Sequence, residues 1–202
     1  MAICYLVGAG DFNNEISLFE GDMIIAADGG YDALAERGYT PDLVIGDLDS
    51  VRKDIPEDTR VLKFPKEKDE TDMFLAYLAG ARRGYTEFVI LGGVGGRLDH
   101  TLANLSLLLY AKEKGHNVTV IDGDTIALCI KDESITLTGE CGAYLSVFAI
   151  GGNAYSVSIK GAKYEVEDVT LTPDFPLGVS NEFTDTEARI AVEEGALLII
   201  AQ

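Results

Sequence analysis

The sequence predicts an α/β fold in two parts: an N-terminal parallel-sheet α/β domain over residues 1–122, followed by a small C-terminal antiparallel β-sandwich over residues 123–202. Three observations predict it. As far as residue 122, short apolar runs alternate with stretches of helical periodicity, the rhythm of βαβ units. Beyond that point the rhythm becomes strand and turn. In the first part, the loops that follow the apolar runs are rich in glycine and aspartate, and ligands of open parallel sheets gather at that edge.

Taken in order, Ile3-Val7 and Met23-Ala27 read as buried strands, each ending in a glycine-bearing turn. Tyr31-Arg37 reads as a short helix closed by Gly38, Leu43-Ile45 as a third strand and Val61-Phe64 as a fourth. Between Thr71 and Arg83, apolar side chains at Met73, Phe74, Tyr77, Leu78 and Ala81 make one helix face, which Gly84 stops. Phe88-Leu91 is a strand, Leu98-Lys114 a long helix ended by Gly115, and Val118-Val120 the last strand of the series. The second part carries short β-like runs at Ile126-Ile130, Ile135-Leu137, Tyr144-Ala149, Ser156-Ile159, Lys163-Val166, Val169-Leu171, Ala188-Val192 and Leu197-Ile200. Polar and glycine turns separate them.

The 202 residues include 16 Lys+Arg against 34 Asp+Glu, a net charge of −18. Such acidity disfavours a nucleic-acid partner, whose phosphates need clustered basic groups, and an anionic membrane surface. It leaves room for an anionic substrate neutralised locally by metal ions or a few placed cations. No apolar stretch approaches the ~20 residues of a membrane span, and Met1-Ala2 leads straight into an apolar run without a basic leader. Cys4, Cys129 and Cys141 form an odd, unclustered set in apolar surroundings, read as buried core residues of a reducing compartment. A cytoplasmic location is expected.

Five loops carry the chemistry: Gly8-Ala9-Gly10-Asp11, Asp28-Gly29-Gly30, Gly46-Asp47-Leu48-Asp49-Ser50, Lys66 through Asp72, and Gly92 through His100. Glycine lets backbone N–H groups approach phosphate oxygens, and a helix N-terminus adds a favourable dipole. Neither a Walker A motif nor a complete GxGxxG is present. Asp47, Asp49 and Asp72 would repel one another if brought together unless a cation sat among them, and hard oxygens suit Mg²⁺. Alternatively, Asp47 and Asp49 cap turns and Asp72 occupies the first turn of a helix. Arg97, Asp99 and His100 stand where a glycine loop enters a helix, either as a phosphate clamp or as a helix-start ion pair. His116 reads as a surface helix-end residue, and Ser180-Asn181-Glu182 as a turn on composition. No nucleophile motif argues for covalent catalysis.

Ala27-Asp28-Gly29-Gly30, the run from Pro41 to Ser50, Lys68 to Asp72, Gly92 to His100 with Asn104, and Gly178 to Glu182 occur together and span nearly the whole chain. In that order they resemble the thiamine pyrophosphokinase (thiamine diphosphokinase) family, in its bacterial form. The resemblance implies a homodimer whose α/β domain binds ATP and whose β-sandwich helps bind thiamine in a cleft at the dimer interface. The pyrophosphoryl group would pass from ATP to the thiamine hydroxyl by Mg²⁺-assisted in-line displacement, releasing AMP. Carried over by position, Asp47, Asp49 and Asp72 would coordinate Mg²⁺. Asp28, Gly29, Gly30, Thr71 and Arg97 would surround the nucleotide, Asp99 would touch substrate or orient Arg97, and Ser180 and Asn181 would hold thiamine. Asp72, Arg97 and Asp99 are then the catalytic candidates. Metal coordination makes a carboxylate a poorer base, which favours Asp99 over Asp72 for that role. Eukaryotic relatives stack a tryptophan near the vitamin, and this chain has none. A Mg²⁺-dependent nucleotide or phosphate-ester hydrolase built on the same aspartates, and a non-catalytic sensor, are the rival readings.

Overall fold

The computed structural model describes residues 1–202, which divide into two compact units. Unit 1 comprises Met1–Leu107 and His116–Gly123; unit 2 comprises Leu108–Gly115 and Asp124–Gln202.

Unit 1 runs β1 (Ile3–Val7), β2 (Met23–Ala27), α1 (Gly30–Glu36), β3 (Leu43–Gly46), β4 (Val61–Lys63), α2 (Asp72–Ala81), β5 (Glu87–Leu91), α3 (Leu98–Glu113) and β6 (Asn117–Asp122), with the last turns of α3 belonging to unit 2. Its strands lie in the order β6-β5-β1-β2-β3-β4, every neighbouring pair parallel. The chain lays β2, β3 and β4 down to one side of β1. It then crosses through α2 to place β5 on the other side. The strand order therefore reverses between β1 and β5, the switch point beyond whose carboxyl ends ligands of open α/β sheets bind.

Both faces of this sheet are covered, which is why its strands are near-continuously apolar. Tyr31 and Leu34 of α1 join Val7, Phe12, Ile16, Ile24, Ala26, Val44 and Leu91 in one buried cluster. Strand alternation sends Leu6, Ile25 and Ile45 to the opposite face, where α2 lies along β1, β2 and β3. The edge strand β4 is exposed throughout. His116 is half-buried instead of standing free at a helix end. Its Nδ1 lies 2.8 Å from the Tyr77 hydroxyl, and its ring packs beside Phe88.

Unit 2 contains β7 (Thr125–Lys131), β8 (Ser134–Thr138), β9 (Tyr144–Ala149), β10 (Ala154–Lys160), β11 (Val166–Leu171), β12 (Asn181–Glu182), β13 (Glu187–Ala191) and β14 (Ala196–Ala201). They form two antiparallel layers, β12-β9-β14-β7 and β11-β10-β13-β8. Leu145, Val147, Leu197 and Ile199 of the first layer share one core with Val157, Ile159, Leu171 and Ile190 of the second, a β-sandwich. The fold is α/β followed by a β-sandwich, as the hydrophobic rhythms predict.

Three local expectations are corrected. Lys163-Val166 and Val169-Leu171 are not two strands, because the strand begins only at Val166. Asn181–Glu182, polar enough to read as a turn, is a short strand paired with Leu145 and Tyr144. Cys4 and Cys129 are buried, but Cys141 is exposed in the turn between β8 and β9, its Sγ donating to the Thr184 carbonyl at 3.4 Å. No helix is long and apolar enough to cross a membrane.

Candidate active site

At the crevice between β1 and β5 the two following loops touch backbone to backbone. Gly8 N–H donates to the Leu91 carbonyl at 2.8 Å and Gly10 N–H to the Gly92 carbonyl at 3.0 Å. Gly92 sits at φ 59°, and a Cβ added there would lie 2.5 Å from the Gly10 carbonyl oxygen. A Cβ on Gly30 would lie 2.0 Å from the Val7 carbonyl oxygen, so only glycine lets α1 begin against the end of β1. These contacts leave a cavity of about 300 Å³ in unit 1, whose lining includes Gly8, Gly10, Asp28, Thr71, Asp72 and Arg97. Ser50, His100 and Asn104 also face it.

Asp28 ends β2 in the left-handed region at φ 47°, a conformation that aspartate tolerates better than most residues. Its N–H donates to the Ile45 carbonyl at 2.7 Å, which ties it to β3. Its Oδ1 is buried without a hydrogen-bond partner. Asp72 opens α2 directly after the N-cap Thr71, whose Oγ1 accepts from Phe74 N–H at 3.2 Å. The Asp72 Oδ1 is likewise buried without an aligned hydrogen bond, although the Lys68 ammonium lies 2.9 Å away as an ion pair. A carboxylate oxygen taken out of water with no partner, as on Asp28, is a costly arrangement unless a ligand completes it, and Asp72 is compensated only by its ion pair.

Asp47 and Asp49 stand differently. Asp47 Oδ1 accepts from Asp49 N–H at 2.9 Å, closing the turn in which Leu48 takes φ 68°. Asp49 is exposed and pairs with Lys66 at 2.9 Å, and that hydrogen bond holds its carboxyl below the usual range. Neither lines the cavity, although Ser50 of the same loop does. No three His, Cys, Asp or Glu side chains are grouped closely enough to enclose a cation by themselves. The donor set nonetheless fits a hard divalent ion of the Mg²⁺ kind. Such an ion takes one or two carboxylates and fills its other positions with water and phosphate oxygens.

Arg97 and Asp99 grip each other across the start of α3. Arg97 Nε donates to Asp99 Oδ1 at 3.1 Å, and Nη2 reaches Oδ2. Asp99 Oδ1 also accepts from His100 N–H at 3.0 Å. The guanidinium hydrogen bond pulls the Asp99 carboxyl down to about 2. In this arrangement the Asp99 carboxyl is taken up by Arg97, in a pair that faces solvent. Asn104, buried within α3, donates from Nδ2 to the Gly93 carbonyl and so anchors the glycine loop to the helix. Lys68 and Asn104 carried no individual role in the sequence reading. A lysine four residues before Asp72 and an amide one turn beyond His100 were the available signals.

In unit 2, Ser180 is exposed at φ 58°, its N–H donating to Ser146 Oγ at 3.1 Å. Asn181, only 3% exposed, turns inward. Its Oδ1 accepts from Tyr164 N–H at 2.9 Å and Glu182 N–H at 3.0 Å, while Nδ2 donates to the Tyr164 carbonyl at 2.9 Å. Glu182 braces the same segment through Lys163, at 2.9 Å. The Tyr164 ring is left exposed.

A family model described as "Thiamin pyrophosphokinase, catalytic domain" matches residues 17–120, and one described as "Thiamin pyrophosphokinase, vitamin B1 binding domain" matches residues 130–197. A thiamine pyrophosphokinase of Bacillus subtilis is 27% identical over 182 residues, 87% of this chain and 85% of the relative. Thiamin pyrophosphokinase 1 of Caenorhabditis elegans is 28% identical over 81% of this chain and 72% of its own length. Among solved structures, a Bacillus subtilis thiamine pyrophosphokinase superposes with a TM-score of 0.85 at 24% identity, covering 100% of this chain and 99% of that one. An Enterococcus faecalis thiamin pyrophosphokinase family protein gives 0.82 at 25% identity and 98% of both chains.

Proposed function

This chain belongs to the thiamin pyrophosphokinase family and transfers the pyrophosphoryl group of ATP to thiamine, and we propose that the crevice between β1 and β5 is where it holds the nucleotide. The observation that carries the proposal is one glycine-walled cavity lined by two carboxylates with a buried oxygen, Asp28 Oδ1 without any partner and Asp72 Oδ1 with only the Lys68 ammonium beside it. The hydrolase reading is not supported, because the matched families and relatives are kinases of thiamine.

Within this reading residues 1–122 bind ATP and residues 123–202 contribute the vitamin site. ATP-dependent transfer uses a divalent cation on the phosphates, and we take it to be Mg²⁺, held by Asp72 with waters and phosphate oxygens. Asp47 and Asp49, expected beside it, lie outside the cavity lining and do not group with Asp72, so they join it only through water. When bound, Mg²⁺ supplies charge neutralisation on the phosphate oxygens and fixes their geometry. Asp28 and the Gly29-Gly30 turn lie beside the phosphates at the start of α1, and Thr71 presents its hydroxyl from the N-cap of α2. Arg97, held by Asp99, offers a pre-oriented guanidinium to oxygens that gain charge as the bond to AMP breaks. The attacking hydroxyl and the AMP oxygen stand in line about the β-phosphorus, so these residues act mainly by positioning and electrostatics. No strong base is required for a loose transition state, and the two hydrogen bonds from Arg97, which pull the Asp99 carboxyl down, support orientation as the role of that residue.

Ser180 contacts thiamine through its hydroxyl, and Asn181 serves the same site indirectly by fixing the backbone of Tyr164. The protein acts in the cytoplasm as a homodimer, which sedimentation at assay concentration tests. Incubation with ATP, Mg²⁺ and thiamine should release AMP and thiamine diphosphate in equal amounts and leave ATP intact when thiamine is omitted. Rapid ATP loss without the vitamin would overturn the positioning mechanism.

A further inference from the structure

Two lysines outside this machinery sit on two of its carboxylates. Lys68 Nζ lies 2.9 Å from Asp72 Oδ1, and its side chain is only 11% exposed. It also donates to the Pro65 carbonyl at 3.3 Å. Lys66 Nζ lies 2.9 Å from Asp49 Oδ2, with both side chains in solvent. The segment between β4 and α2 thus sends one ammonium to the carboxylate that opens α2 and another to a carboxylate of the loop after β3. Lysine is rarely withdrawn from water without a partner, and a buried ammonium that loses its counter-charge is strongly destabilised. Lys68 and Asp72 therefore satisfy each other's charge in this structure.

We propose that Lys68 is the internal counter-ion of Asp72, that a divalent cation must displace it, and that the freed ammonium then pairs with the nucleotide's phosphates, coupling metal binding to nucleotide binding. This rests on Asp72 being a metal-binding carboxylate. A bare cation approaching Asp72 meets a positive charge already on the oxygen it needs. Binding then leaves two cations side by side or an ammonium without a partner, and both outcomes weaken it. A cation that arrives with a triphosphate brings anionic oxygens with it. The compact ammonium, on its four-carbon stem, can exchange the carboxylate for these. The coupling is reciprocal, so the nucleotide improves cation affinity by the factor by which the cation improves nucleotide affinity. Lys66 on Asp49 has the same chemistry in full solvent, where screening leaves little of it, and it serves as the internal control.

Binding of Mn²⁺ alone, and of Mn²⁺ with a non-hydrolysable ATP analogue, can be measured by calorimetry and by the Mn²⁺ electron-spin signal. Lys68→Met should bind Mn²⁺ alone about three- to tenfold more tightly than the parent chain, the size expected for removing one nearby charge from a partly screened site. The gain in Mn²⁺ affinity brought by the analogue should shrink in the same variant. Lys66→Met should stay within about twofold of the parent, as an exposed pair predicts. Lys68→Gln, whose melting temperature is checked alongside, repeats the measurement should the methionine variant fold poorly. Mn²⁺ affinity that is unchanged or weaker in both Lys68 variants overturns the proposal. Asp72→Asn provides the separate check. If it binds Mn²⁺ with the analogue as well as the parent does, the metal reading of Asp72 has failed, and the proposal with it.

Discussion

Unit 1 and unit 2 each bury a polar side chain at the spot where the sequence places a ligand, and they treat it in opposite ways. In unit 1, Asp28 keeps a buried oxygen that no hydrogen-bond donor reaches, and the buried oxygen of Asp72 has only the Lys68 ammonium beside it, as an ion pair. In unit 2, Asn181 is more deeply buried, yet its amide makes three hydrogen bonds, two of them to the backbone of Tyr164. A buried polar group costs free energy unless it is satisfied, so an unsatisfied one marks a place that another molecule completes. A satisfied one marks a place already complete. Burial is common to both sites; on the proposed reading, hydrogen-bond satisfaction is what separates a residue that contacts ligand from one that positions the backbone.

The sharpest way to break this comparison is Asp72→Asn. The change keeps shape and removes charge from an oxygen assigned to metal and phosphate, so turnover should fall about 10²-fold or more, as when a catalytic electrostatic contact is lost. Melting followed by circular dichroism should show a folded protein of lower melting temperature, because Lys68 loses its counter-charge. Near-normal AMP release with Mg²⁺-ATP would remove Asp72 from the machinery.

Next in size is Asn181→Ala. It strips the Tyr164 N–H and carbonyl of their partners and should cost about 1–3 kcal/mol in chemical denaturation. Its kinetic effect should be a rise of several-fold in the KM for thiamine at nearly constant kcat, the pattern of lost ground-state binding. Asn181→Asp can still accept from both amides and should recover part of the loss. Ser180→Ala leaves every hydrogen bond of Asn181 in place and should raise the thiamine KM by less. A change confined to the KM for ATP in either variant would move the vitamin site elsewhere.

The contrast also shows what was legible in sequence. The parallel sheet, the sandwich and the change of rhythm near residue 122 could be read because apolar periodicity reports burial directly. The loops that meet at the β1–β5 crevice could be read because Gly30 and Gly92 stand where a Cβ would strike a carbonyl. What could not be read was where each polar side chain spends its hydrogen bonds. Asp28 and Asp47 look alike in sequence, both following a buried strand, yet one has an orphaned oxygen and the other caps its own turn. Asn181–Glu182 reads as a turn because its strand is two residues long and polar, and only pairing with β9 defines it. Lys163-Val166 reads as a strand, yet Lys163 and Tyr164 lie outside β11, and Asn181 holds Tyr164 in a loop.

The smallest effect expected is a null one, and it concerns Asp99. A general base with an ordinary carboxylate pKa would impose an acid limb on the pH profile. In this structure the Arg97 hydrogen bond lowers the Asp99 carboxyl from 3.8 to about 2. A depressed folded-state pKa means that the ion pair is fully formed above the ordinary carboxylate value and is lost only as pH falls toward 2. From about pH 3.5 to 9 the pair therefore stays ionised, and the limb that an ordinary carboxylate base would add near its usual pKa is not expected. Asp99→Asn should lower kcat modestly through a less firmly held guanidinium. The shape of kcat against pH should stay parallel to that of the parent across this range. An acid limb present in the parent and missing from Asp99→Asn would make Asp99 the base and leave Arg97 oriented by something else.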